Sequence, residues 1–83
     1  MERPKPNLDS IRKALLEVLL DLPKNTSLDL FEGGYIDSLS LMDVIAKIEN
    51  TFSICFEAKH LKKENFININ NIAETVKKLA GDN

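Results

Sequence analysis

Apolar side chains recur at intervals of three and four in three separate stretches of this chain, and nowhere do they alternate for long enough to build a sheet. In the first stretch, Ile11, Leu15, Val18, Leu19 and Leu22 follow the spacing of an amphipathic helix. Asp9 and Ser10 are placed to cap its start and Pro23 to end it. The second stretch runs from Ser38 to about Thr51. At about 100° per residue, Leu41, Val44, Ile45, Ile48 and Phe52 fall on one side, and Leu39, Met42, Asp43, Ala46 and Asn50 fall on the opposite side. The third opens at Asn68, a good N-cap, keeps the period through Ile69, Ile72, Ala73, Val76 and Leu79, and stops at Gly81.

Between these stretches the period is lost. Lys24 to Tyr35 offers Asn, Thr, Ser, Asp and the Gly33-Gly34 pair, which read as a long loop anchored by Leu28, Leu30 and Phe31. Loops of that length inside a compact domain are often functional. The run SICF at 53–56 alternates like a strand, but an isolated strand has nothing to pair with, so it reads as a loop with Ile54 and Phe56 turned inward. Residues 60–66 have room for one or two turns of a short helix, with Leu61 and Phe66 as its apolar contacts. The expected fold is all-α, a small four-helix bundle of three principal helices and one short one with a long first loop. It forms a single domain over residues 1–83, with its core in about 8–80.

The second side of helix two is more apolar than a solvated face. Leu39, Met42 and Ala46 form a short stripe leading back toward Ser38. Two readings are open: the helix is buried on both sides, or the stripe is a docking strip for a partner, with Asp43 and Glu49 supplying charge at its edges. Charge favours a partner. Eleven Lys and Arg stand against thirteen Asp and Glu overall, but residues 25–57 hold one basic and six acidic side chains, net −5. A surface of that sign suits a basic partner, because complementary fields speed encounter. Nucleic acid is excluded, since a helix two with one lysine among several acids would be repelled by phosphates.

Candidate chemistry is sparse. A single cysteine, Cys55, cannot form an internal disulfide, which places the chain in a reducing compartment, by default the cytoplasm; it reads as a small buried hydrophobe. The start, MERPKPN, is polar, and LLEVLLDL at 15–22 is broken by Glu17 and Asp21, so neither a signal-peptide core nor a membrane span is expected. His60, the only histidine, reads as a surface residue, and no His/Cys cluster has metal spacing. Gly33-Gly34 lacks the rest of a phosphate-binding loop. Asp37 and Asp43 are conceivable paired carboxylates, yet a bundle this small offers little cleft for a substrate. The expectation is a protein that is not an enzyme.

One hydroxyl remains. In GGYIDSLSLMDVI, residues 33–45, Ser38 stands where a glycine turn passes into helix two, and a serine there can be a cap, a nucleophile or a point of attachment. The run Asp37-Ser38-Leu39, followed by LMDVIAKIENTFSICF, resembles the acyl carrier protein family, whose mark is a D-S-L serine bearing phosphopantetheine. IENTFSI is similar to that family's E-x-x-F-x-I exit from helix two, and ENFININNIAETV to its short third helix, turn and fourth helix. The likeness covers about residues 8 to 80.

The resemblance implies that Ser38 carries 4′-phosphopantetheine through a phosphodiester, and that the arm's thiol holds an acyl or aminoacyl cargo as a thioester. Asp37 would help position the modifying transferase. Leu39, Met42, Asp43, Ala46 and Glu49 would form the surface read by partners: a phosphopantetheinyl transferase, a loading ligase or transferase, and downstream synthases of fatty-acid or specialised biosynthesis. A phosphate at the first turn of helix two would face unpaired backbone N–H groups and the positive end of the helix dipole. The chain would act as a monomer, with room for cargo among Leu41, Ile45, Ile48 and Ile72. Housekeeping fatty-acid carriers are more acidic than −2, Lys47 falls near the middle of the partner face, and GYIDSL suits carriers of specialised pathways. The alternative from another class is an adaptor that uses the same strip with Ser38 unmodified.

Overall fold

The computed structural model describes residues 4–81, which form three α-helices and, among the described residues, no strand. They are α1 (Leu8–Leu16), α2 (Ser38–Phe52) and α3 (Ile69–Leu79), with two 3-10 turns, Ala58–His60 and Lys63–Phe66, between α2 and α3. The all-helical architecture agrees with the expected bundle. Its short helix does not: residues 60–66 hold no α-helix, because Leu61 takes φ −85° and ψ 58°, outside the helical region, and separates the two 3-10 turns.

The caps follow one pattern. Asn7 starts α1, its Oδ1 accepting from the Ser10 N–H at 2.8 Å while the Ser10 hydroxyl accepts from the Asn7 N–H at 3.0 Å. Asp9 and Ser10 therefore sit inside the first turn, two and three residues after the true cap. At its other end α1 stops at Leu16, although the apolar period runs on to Leu22. The Arg12 guanidinium donates to the carbonyls of Pro23 (2.9 Å) and Lys24 (3.2 Å), so the chain has already turned back. A helix continued through Leu22 would carry Pro23 about 16 Å along the axis from Arg12, beyond that contact. Leu19 and Leu22 still reach the core, from a turn instead of a helix.

The long loop is fastened to the start of α3. The Leu30 N–H donates to the Ile67 carbonyl (2.7 Å), the Asn70 N–H to the Thr26 carbonyl (3.1 Å), and the Asn70 amide to the Ser27 hydroxyl (2.9 Å). Asp29 caps the next turn through Phe31 and Glu32, and Gly34 passes through it at φ 79°, a conformation that favours glycine. Leu30 is the loop's buried anchor; Phe31 is half-buried, and Leu28 is exposed, contrary to expectation.

Ile11 and Leu15 from α1, Val44, Ile48 and Phe52 from α2, and Ile69, Ile72 and Val76 from α3 are fully excluded from solvent and meet in one core. Phe56 and Phe66 close one side of it, their rings edge to face at 5.3 Å. Cys55 corrects another expectation. It is exposed, because the loop turns Phe56 inward and leaves its neighbour out.

Candidate functional site

The N-terminus of α2 is built by Asp37. Its Oδ1 accepts from the N–H groups of Leu39 (3.0 Å) and Ser40 (2.8 Å), and the Ser40 hydroxyl in return accepts from the Asp37 N–H (2.9 Å). The Ser40 N–H, and then the Ser40 hydroxyl, which also donates to Asp37 Oδ1 (3.1 Å), hold the Asp37 carboxyl below its ordinary range. Asp37, expected to help position a transferase, thus has a structural task of its own, and Ser40 is a partner in the cap that the sequence reading passed over.

Ser38 is the first residue of α2, exposed and outside the capping box. Of the three roles open to Ser38, the cap is excluded, because that position belongs to Asp37. Ser38, outside the capping box, leaves its hydroxyl at the exposed helix start. The expected bed of unpaired N–H groups is smaller than supposed. Asp37 takes those of Leu39 and Ser40 with its side chain and that of Leu41 with its carbonyl (2.9 Å), which leaves the Ser38 N–H. The Asp37 carboxylate already stands at the positive end of the helix dipole. Of the first-turn N–H groups only that of Ser38 is left open.

Positive charge lies on the rim of a neighbouring groove. Ser38 opens onto a cleft of about 350 Å³ whose floor is apolar: Phe31, Leu41, Ile45 and Phe66. Its rim carries the exposed residues Leu61, Lys62 and Lys63, and the Lys63 ammonium lies 5.1 Å from the centre of the Phe31 ring. The two lysines went unremarked in the sequence; the run HLKKENF was a signal, since it places basic charge in the segment that crosses in front of helix two. Leu41 and Ile45 do line this cleft as expected, whereas Ile48 and Ile72 are wholly buried in the core and do not.

On the outer face of α2 the expected strip is present. Leu39 is 79% exposed and Met42 69%, with Asp43 and Ala46 also exposed. A helix buried on both sides is thereby excluded. Glu49 stands apart from them: it is half-buried, and its Oε2 accepts from the Phe56 N–H at 2.8 Å, where it fastens the chain leaving α2. Lys47 does not sit in the strip. Its ammonium is 2.6 Å from Glu17 Oε1, on the side that faces α1. His60 is partly exposed, and its Nδ1 accepts from the Glu57 N–H at 3.0 Å within the first 3-10 turn. Leu20, which the sequence reading did not single out, is fully exposed and, with Asp37 and Tyr35, borders a second hollow of about 260 Å³.

Among the described residues no three His, Cys, Asp or Glu side chains gather in a metal-binding group, and no helix is long and apolar enough to cross a membrane. No family model matches the chain, and no solved structure matches it. It is 31% identical over 72 residues to the D-alanyl carrier protein of Streptococcus uberis, a match spanning 87% of this chain and 87% of that relative.

Proposed function

The chain belongs to the carrier-protein family, and from that premise we propose that Ser38 is the attachment point of a 4′-phosphopantetheine arm on which an aminoacyl or other acyl cargo travels between enzymes. Carrier proteins are not catalysts, so the chemistry is done by the partners. The observation that carries the reading is the division of labour at the start of α2: Asp37 and Ser40 make the cap, and Ser38 is left exposed beside the groove. When attached, the arm supplies a thiol that holds the cargo as a thioester. The chain's own residues do the rest.

Ser38 presents its hydroxyl at a loop-to-helix junction, where a transferase can reach it. Asp37 fixes the first turn of α2 and so the direction in which that hydroxyl points. Leu39, Met42, Asp43 and Ala46 form the face that partners read, contiguous with Ser38 and acidic at its edge; Glu49 contributes to it only through its exposed portion. Contacts of this kind, a few apolar side chains with complementary charge, allow binding that is specific and brief. The relative is named for a D-alanyl cargo, which brings an aminoacyl group forward as one candidate here.

Intact mass after incubation with coenzyme A and a broad-specificity phosphopantetheinyl transferase tests the assignment. Wild type is expected to gain one phosphopantetheine group, Ser40→Ala to gain it as well, and Ser38→Ala to gain none. If wild type stays unmodified under conditions that modify another carrier, the unmodified adaptor takes its place, with the same strip on α2 as its binding surface.

A further inference from the structure

The groove beside Ser38 has a charged rim over an apolar floor, and the charge is of one sign. Neither Lys62 nor Lys63 is ion-paired among the described residues, although Glu64 follows them in the chain. Lys63 holds its ammonium over Phe31, which itself forms part of the floor, so its field falls on the cleft and not only on solvent. A cleft with low-dielectric walls focuses such a field, and over distances shorter than the Debye length salt screens it little.

We infer that Lys62 and Lys63 sort the carrier's cargo by charge: an uncharged acyl group enters the groove at Ser38, and an aminoacyl group, with its ammonium, is held outside. The inference rests on the assignment of Ser38 as the attachment point. One phosphodiester on Ser38 brings one negative charge against two lysines, so the rim stays net positive when the arm is in place. With the N-terminus of α2 occupied by Asp37, these lysines are also the positive charge that the phosphodiester meets. A cationic cargo entering the cleft would lose water and approach like charges at once. An uncharged cargo of the same shape does neither, and the cleft, about 350 Å³, lies at the small end of the range for ligand pockets. An aminoacyl cargo is therefore presented to partners in the open, and a plain acyl cargo is shielded from water until a partner draws it out.

Alanyl and isobutyryl groups have nearly the same shape and differ in carrying an ammonium or a methyl, which isolates the charge. Each is placed on Ser38 through a hydrolysis-resistant amide analogue of the arm, loading is verified by intact mass, and methyl chemical shifts of Leu41 and Ile45 report occupancy of the groove. In wild type, isobutyryl is expected to shift both sets of methyls relative to the empty arm, and alanyl to leave them in place. In the Lys62→Glu, Lys63→Glu double variant, alanyl is expected to gain groove occupancy roughly tenfold, the scale of reversing two nearby charges. The neutral pair Lys62→Gln, Lys63→Gln should fall between and serves if the reversed pair does not fold. The inference is overturned if alanyl occupies the wild-type groove as isobutyryl does, if isobutyryl stays out of it, or if alanyl remains outside when the lysines are neutralised or reversed. A chain that gains no arm at all removes the Ser38 assignment together with it, and the mass measurement tells the two failures apart.

Discussion

The two faces of α2 can be separated by a pair of truncations, Ile48→Ala and Met42→Ala. Ile48 is 0% exposed and lies among side chains of α1 and α3, so losing its outer carbons leaves a cavity that costs about 2–5 kcal/mol. Met42 is 69% exposed, so roughly a third of the ~1.5–3 kcal/mol for full burial is at stake, at most about 1 kcal/mol. For a chain of this length the total stability is on the order of 4–12 kcal/mol. At ~4–8 °C per kcal/mol for a small domain, Ile48→Ala should lower Tm by about 8 °C or more and Met42→Ala by less than about 8 °C. Thermal unfolding followed by circular dichroism reads both. Cargo transfer should show the reverse order: Met42→Ala slows transfer by about fivefold or more, as truncation of an interface anchor does, while the folded fraction of Ile48→Ala transfers normally. A large loss of stability in Met42→Ala would mean that its face is packed and not free. Undiminished transfer by that variant would remove the strip from the docking surface.

Charge and pH give two further tests. Asp43→Lys should leave the fold intact and impair transfer, and wild-type binding to a partner, expected in the micromolar class, should weaken as salt rises; salt-insensitive binding would contradict an electrostatic face. The Asp37 carboxyl is held below its ordinary value in the folded chain, so its contribution is present above the ordinary value and is lost as pH falls through the lowered one. Acid titration should therefore loosen the start of α2, and Asp37→Asn, which keeps an accepting oxygen, should remove that part of the acid response; amide hydrogen exchange at Leu39 and Ser40 is the readout, and identical acid profiles in the two proteins would refute it.

Helices α2 and α3 were legible because their core residues keep the helical period from end to end: Val44, Ile48 and Phe52 in one, Ile69, Ile72, Ala73 and Val76 in the other. The same signal overran α1. Leu19 and Leu22 continue its period, but tertiary contacts between Arg12 and the returning chain decide where the helix stops, and no local pattern encodes that. Periodicity is silent in loops, which is why Leu28 and Cys55 were placed inside and stand outside. Of the caps only Asn68 was legible as one; the Asn7–Ser10 and Asp37–Ser40 pairs share a three-residue spacing, but the neighbouring Asp9 and Ser38 compete with them for the role and hid it. Ser38 itself was legible as a motif, and its freedom from capping was not, because that depends on which of three neighbouring polar residues takes the cap. Lys62 and Lys63 became meaningful only when the fold brought them to the groove beside Ser38, a juxtaposition across more than twenty residues of chain.

The measurement closest to the central claim is intact and fragment mass spectrometry of the chain isolated from the cells that make it, without added transferase. A phosphopantetheine group localised to Ser38, with further mass released by hydroxylamine as expected of a thioester, is the predicted result, and the released mass identifies the cargo. An unmodified Ser38, in a lysate where other carriers bear their arms, would contradict the account.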